Sequence, residues 1–299
     1  MNIKNYKLFK RKYATFDKNG LAKEYGLFDN KLIYEGEYLN SERNGKGKEY
    51  NNNGQLIYKG EYLNGTKNGK GKEYYDNDKL IYEGEYSEGK INGQGKEYNN
   101  NVQLIYEGEY LNGVKNDQGK EYNDNNKLLY EGEFLDGKRN WRGKGYNSNN
   151  IIIFEGQYLK GKKWKGKGKE YYYDKLKFEG EYFDDQRDGK GKEYNDNDEI
   201  IFEGEYLNGQ RKGKGKEYNY SDKIIYDEEF LDGAKNGKGT EYNNNGELIF
   251  DGEYLNGKRW NGKAKEYSSG KLIFEGEYLN GKRNGKGKEY NNGKIIFKR

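Results

Sequence analysis

The sequence predicts an all-β chain: an elongated antiparallel β-meander, a solenoid of stacked β-hairpin repeats forming a single twisted sheet. Three observations predict it. An aromatic residue recurs every 24 positions, at Tyr34, Tyr58, Tyr82, Tyr106, Tyr130, Phe154, Phe178, Phe202, Tyr226, Phe250 and Phe274. The five residues it opens alternate aromatic, acid, glycine, acid, aromatic, as in Tyr82-Glu83-Gly84-Glu85-Tyr86. An Asx-Gly pair follows at a fixed distance, as at Asn64-Gly65. A period of this size marks copies of one small unit, each packed on its neighbours.

With the opening aromatic numbered zero, positions zero to four read as a half-exposed strand. The aromatics and the glycine share one face and the acids the other. Two apolar residues, such as Leu80-Ile81, extend the strand backwards. Asx-Gly then supplies the positive φ angles of a tight hairpin turn. A second strand reads Gly-Lys-Gly-Lys-Glu-Tyr, as at Gly69 to Tyr74, and an Asn-rich link such as Asn51-Asn52-Asn53-Gly54 leads on. Three aromatic positions (zero, four and the Tyr of the second strand, Tyr50 to Tyr290) take 33 of the 48 aromatics, so they carry the packing. The glycine at position two leaves a slot that an aromatic from the adjacent strand would fill. Strict alternation puts the second-strand lysines on the face of its Tyr; a glycine bulge or lysine stems lying over the rings are the alternatives. One hairpin cannot stand alone, so stability comes from stacked neighbours. Twenty-two strands at about 4.8 Å span roughly 100 Å before twist shortens the path.

Composition narrows the function classes. Hydrophobic residues make up 31% and charged residues 35%, a balance seen in disordered chains, but aromatics kept in phase at 16% oppose disorder. Net charge is +4, too small an excess for a general nucleic-acid binder, so no nucleic-acid partner is expected. Cys, His and Pro are absent. That removes disulfides, thiolate and histidine metal sites and the usual triads, so no enzyme activity, metal or cofactor is expected. The N-terminus has no apolar signal-peptide core and no stretch is long enough to span a bilayer, so a soluble cytoplasmic protein is expected, peripheral to membrane or cytoskeleton at most.

The copy Phe274–Tyr290, FEGEYLNGKRNGKGKEY, carries aromatic-Glu-Gly-Glu-aromatic, then Asn-Gly-Lys-Arg, then Gly-Lys-Gly. In these marks it resembles the MORN repeat, the membrane occupation and recognition nexus. The resemblance covers residues 34–299 as eleven tandem copies, and residues 1–33 read as a degenerate capping repeat in which Phe9, Tyr13 and Tyr25 fall near aromatic positions. The unit is about one residue longer than the typical MORN repeat and is similar to a variant found in bacterial antitoxin-like proteins. Glu228 stands where the position-two glycine belongs, which puts packing around Tyr226 and Phe230 in question. Two copies carry an extra residue near Trp164 and Trp260. A last strand closing on Phe297-Lys298-Arg299 would protect an edge with two cations.

Candidate chemistry is sparse. Glu pairs such as Glu107 and Glu109 fit cross-strand ion pairs better than acid–base work. Asp76-Asn77-Asp78 and Asp196-Asn197-Asp198 lack the rest of a calcium loop, the Gly-Lys-Gly-Lys elements lack the rest of a Walker loop, and two formal glycosylation sequons, at Asn64 and Asn219, read as accidental in an Asn-rich chain. The cations have more to offer: Lys138, Arg139, Arg142 and Lys144; Lys258, Arg259, Lys263 and Lys265; Lys282, Arg283, Lys286 and Lys288. Regular stacking would line them into a ridge for anionic lipid or a partner; a solvated, ion-paired face is the plainer reading. The resemblance implies a non-catalytic scaffold that binds protein partners, its own copies included. The alternatives are a peripheral tether to anionic phospholipid, a carbohydrate binder, for which three Trp are few, and an antitoxin-like neutraliser.

Overall fold

Two local rules generate the backbone. Side chains of alternating character favour strands, and the Asx-Gly pairs reverse them. In the repeat opened by Tyr58, strand Leu56–Leu63 turns through Asn64 (φ 47°) and Gly65 (φ 82°) into strand Thr66–Tyr74. Both angles are positive, as a primed hairpin turn requires. Asp184 (φ 47°) and Asp185 (φ 65°) do the same without glycine, because Asp tolerates this region better than most residues. Each returning strand then pairs antiparallel with the next opening strand, Thr66–Tyr74 with Leu80–Ser87 for example. Between them Asn51 Oδ1 accepts the amides of Asn53 and Gln55 at 2.9 and 3.0 Å, an Asx turn repeated at Asn99, Asn123, Asn147, Asn195, Asn219 and Asn243.

The computed structural model describes residues 19–26 and 28–298 and the backbone of 11–13. Phe9, the Tyr13 ring and Arg299 lie outside the described residues. All regular structure within them is β, with no helix. The chain forms two units: one runs to Ile152 and includes Tyr158–Gly161, the other holds Ile153–Gln157 and continues from Lys162. Within each unit the pattern is an open antiparallel meander of hairpins.

Each unit has a one-sided core made almost wholly of rings. In the first unit the edge-to-face contacts run Tyr38, Tyr34, Tyr62, Tyr58, Tyr86, Tyr82, Tyr110, Tyr106, Phe134, Tyr130, Tyr158, with centroids 4.9 to 5.6 Å apart. The second unit repeats the arrangement from Phe154 to Phe274. This geometry sets the positive ring edge against a negative face and adds roughly 0.5–1.5 kcal/mol per pair beyond burial. The opening rings Tyr34, Tyr58, Tyr106, Tyr130, Phe154, Phe178, Phe202, Tyr226 and Phe250 are fully buried.

The glycine slot is filled differently from the sequence expectation. Gly60 and Gly71 face each other across the hairpin, and a Cβ on Gly60 would lie 2.6 Å from the Gly71 Cα. A Cβ on Gly71 would lie 2.6 Å from Cε2 of Tyr58. The ring that occupies the slot is thus the repeat's own opening aromatic, lying down over both glycines, and fourth-position rings of its own strand (Tyr62) and of the next repeat (Tyr86) meet it edge-on. The Tyr58 hydroxyl reaches past the glycines to the Glu61 carbonyl, 3.3 Å away. Glu228 does not disturb this packing: Tyr226 is fully buried and Phe230 is 5.1 Å from it, with Glu228 held at φ 130°. From Gly47 to Tyr50 the side chains of the returning strand alternate, despite register shifts in its pairing with both neighbours, so Tyr50 leaves the ring face and shares the opposite one with Lys48; the third recurrent aromatic is not part of the ring core. Successive hairpins are also tied at their turns, where the Gly65 amide donates to the Arg43 carbonyl and the Gly209 amide to that of Arg187, both at 2.9 Å.

Candidate interaction surfaces

The ring face is roofed by cations. Position nine of each repeat is Arg or Lys in most copies, and its charge sits over the opening ring: Arg43 4.0 Å from the Tyr34 centroid, Lys67 4.1 Å from Tyr58, Arg187 4.1 Å from Phe178. A single-layer sheet has no second layer to cover its apolar side, and here flat guanidinium groups and lysine stems do so. Glutamates of the Lys-Glu-Tyr segments hold the cations in place. Arg211 Nη2 lies 2.6 Å from Glu193 and its Nη1 2.9 Å from Glu217. The Tyr206 hydroxyl donates to Glu193 at 2.6 Å. Burial pushes the Glu193 carboxyl upward, but Arg211 and Tyr206 outweigh it and leave the group below the usual range. Glu170 is held low by Arg187 in the same way. Glu24, 1% exposed, takes a bidentate pair from Arg43.

On the opposite face the acid at position one is the acceptor. Tyr50 donates to Glu35 at 2.7 Å and Lys48 Nζ lies 2.9 Å away. The Tyr50 hydrogen bond, followed by that of Lys48, draws the Glu35 carboxyl down to about 2. Burial and then Glu35 push the Tyr50 hydroxyl up to about 12. Tyr98–Glu83, Tyr122–Glu107 and Tyr194–Glu179 repeat the pair at 2.8, 2.7 and 2.6 Å. These perturbed groups therefore have structural partners within the sheet. Among the described residues no group of three or more acids is placed to hold a metal ion.

The twelve cations singled out from the sequence are split between the faces, so they do not form one ridge. Alternation is the reason: position nine points to the rings, while the cations near positions twelve and fourteen point away. In the first unit Arg139 lies 4.8 Å from the Tyr130 centroid and 2.6 Å from Glu121, whereas Lys144 stands opposite Glu131 and Lys138 opposite Leu135. Arg142 is exposed. In the second unit Arg259 and Arg283 lie on the ring face, 2.8 Å from Glu241 and 2.5 Å from Glu266. Lys258 and Lys282 flank the turns opposite Leu255 and Leu279. Lys263 faces Asp251 and Glu277, Lys265 is 3.8 Å from Glu275, Lys288 faces Glu275, and Lys286 is exposed.

One recurrent feature went unread in the sequence. Position five is Leu in nine copies and Phe in one, and these side chains are half-exposed beside the turns, from Leu39 to Leu279. Their spacing alone was signal enough to find them. Trp141 is a second: 59% exposed, with φ 57°, it stands where other repeats place glycine, at Gly45 or Gly189.

The sequence profile of the MORN repeat matches nine segments, 34–55, 58–79, 82–101, 106–127, 130–140, 178–199, 202–221, 229–247 and 274–295, more than half of the chain. The copies opened by Phe154 and Phe250, both carrying an extra residue, fall outside the matches. No curated protein matches the sequence. Among solved structures, the crystal structure of TcdB2-TccC3 aligns at 11% identity over 93% of this chain, with a TM-score of 0.20, below the level of a shared fold. The chain spans about 15% of that structure's length.

Proposed function

The chain belongs to the MORN-repeat family, and from that premise we propose that it is a non-catalytic scaffold whose repeated surface binds protein partners. One observation carries the reading. Many charged groups of the repeat are engaged in holding rings and strands together, while most hairpins present a similar set away from the rings, an acid at position three and an apolar residue at position five, with Gln157 and Ser87 as the exceptions. Repetition of a weak contact along a surface gives avidity without any deep pocket. Affinity purification of the tagged full chain from its native cell tests this: defined proteins retained in stoichiometric amounts are expected, and recovery of the chain alone overturns it. Light scattering reports whether one of those partners is a second copy.

A tether to anionic phospholipid is the second reading, favoured by the exposed lysines beside the turns, Lys138, Lys258 and Lys282. Each cation near a charged bilayer contributes about 1 kcal/mol. Sedimentation with phosphatidylserine vesicles that fades as salt is raised is the expected result, and absence of sedimentation at low salt removes the reading.

A further inference from the structure

An asparagine followed by glycine can lose its side-chain amide without an enzyme, because glycine, having no Cβ, lets its own amide nitrogen reach the Cγ before it. This chain holds fifteen Asn-Gly pairs, so the fold must decide which of them react. Two features decide: where the carboxamide is held, and whether the glycine nitrogen is engaged elsewhere.

Position ten of the repeat separates the pairs. There Asn92 Oδ1 accepts the Asn112 amide of the next turn at 3.3 Å. Asn261, shifted by the extra residue of its copy, accepts the Asn280 amide at 2.9 Å. Asn140 and Asp188 cap the following turn in the same way, at 3.2 and 3.4 Å. Asn44 and Asn284 hold the same place, but their carboxamides fold onto their own glycines. The Gly45 amide donates to Asn44 Oδ1 at 3.1 Å, and the Gly285 amide to Asn284 Oδ1 at 2.7 Å. The N–H bond, and with it the electron pair the nitrogen exposes on losing its proton, is aimed at a side chain whose Cγ lies one C=O bond, about 1.2 Å, from that oxygen. Holding the reacting atoms in contact is what speeds an intramolecular attack. The hairpin-turn pairs are the opposite case. The Gly65, Gly113 and Gly281 amides donate to carbonyls of the preceding repeat at 2.9, 2.8 and 3.0 Å, which aims them away from Asn64, Asn112 and Asn280. Water reaches both position-ten sites: Asn284 and Gly285 are exposed, Asn44 and Gly45 half-buried.

We propose that Asn44 and Asn284 are sites of spontaneous deamidation, with water as the co-reactant. The Gly45 nitrogen gives its proton to solvent and attacks Asn44 Cγ. The N–Cγ bond forms, the Cγ–Nδ2 bond breaks, and ammonia leaves with a proton taken from solvent. Water then opens the five-membered imide at either carbonyl, giving aspartate or isoaspartate, and nothing is oxidised or reduced. Gly285 and Asn284 react alike. The new carboxylate lies beside an existing one, since Glu37 stands where a Cβ on Gly45 would go and Glu277 where one on Gly285 would. Like charges then meet at a register shift of the hairpins opened by Tyr34 and Phe274, and isoaspartate adds a backbone carbon there. Deamidation would thus loosen these two hairpins irreversibly.

The test holds the full chain in neutral buffer at body temperature for weeks. Tandem mass spectrometry of protease fragments follows the amide-to-acid mass gain at each asparagine. Asn44 and Asn284 are expected to convert at least about threefold faster than Asn92, Asn261, Asn64 and Asn280. Asn92 is the sharpest control: it shares position ten, and Glu85 stands against Gly93 as Glu37 does against Gly45. The same chain unfolded in urea should lose the ranking, because the contacts belong to the fold. Equal rates in the folded chain, conversion nowhere, or faster loss at the control asparagines overturns the proposal. So does an unchanged ranking in urea, since flanking residues and not the fold would then set the rates. Conversion of either residue only at the rate of Asn92 overturns its assignment as a site.

Discussion

The guanidinium of Arg211 lies 4.0 Å above the centroid of the Phe202 ring, with Glu193 and Glu217 on either side. One side chain thus covers a buried ring and links glutamates from two repeats. Removing it uncovers the ring and takes one cationic partner from each carboxylate, leaving Lys235 at 3.0 Å from Glu217 and Arg187 at 3.7 Å from Glu193. Arg211→Ala is expected to cost about 2 kcal/mol, between the values for exposed and buried pairs. Arg43→Ala should cost more, roughly 3 kcal/mol, because it removes the bidentate cationic partner of the deeply buried Glu24. Arg283→Ala, at a 39% exposed side chain, should cost less than 1 kcal/mol. Urea denaturation of the three variants gives the order directly, and equal costs would deny the arginine its role as a roof.

Gly71→Ala is expected to destabilise by roughly 3 kcal/mol, because the Tyr58 ring already fills the space of the new methyl. Gly54→Ala, at φ 79° with open space around it, should cost only about 1 kcal/mol of backbone strain. Thermal melts that rank them the other way would show that the ring can move aside.

The Tyr62 hydroxyl is buried with no hydrogen-bond partner. Tyr62→Phe should therefore be neutral or stabilising by up to about 1 kcal/mol, whereas Tyr206→Phe loses its bond to Glu193 and should cost about 1 kcal/mol. Phe134 and Phe230 already occupy this position in other repeats. A Tyr62→Phe variant less stable than the parent by urea titration would contradict the assignment.

Trp141 holds a left-handed backbone angle that glycine holds in sister repeats. Trp141→Gly should gain up to about 1 kcal/mol by relieving this strain. Calorimetry decides: a lower melting temperature would mean that the indole is held by contacts worth more than the strain.

Stability should fall at both ends of the pH scale. Glu35, Glu83, Glu107, Glu170, Glu179, Glu193 and Glu266 all have folded carboxyls below the unfolded value of about 4.5. Their contribution is complete above that value and is lost as pH drops towards about 2, where Glu35 titrates. The buried tyrosines are raised above 10, Tyr50 and Tyr98 to about 12. Their contribution is complete below 10 and is lost as pH rises through the folded values, since the unfolded chain releases those protons first. Melting temperature should be flat from about 5 to 10 and fall outside it. A melting temperature that stays level as pH rises above 10 would contradict the alkaline half.

Periodicity alone fixed much of this molecule. The 24-residue recurrence of aromatics, Asx-Gly turns and alternating strands predicted the hairpin meander, because each signal acts through local backbone preference and needs no distant contact. What those rings touch was not legible. That Tyr58 lies over its own glycine pair, that Tyr50 turns to Glu35, and that Arg139 and Lys144 part to opposite faces depend on bulges and cross-strand register, which join residues across strands and are set only when neighbouring hairpins pack. Spacing along the chain settled which residues repeat; only the folded sheet settled which of them are sealed beneath cations and which stay exposed, because burial belongs to the stacked strands and not to any single copy.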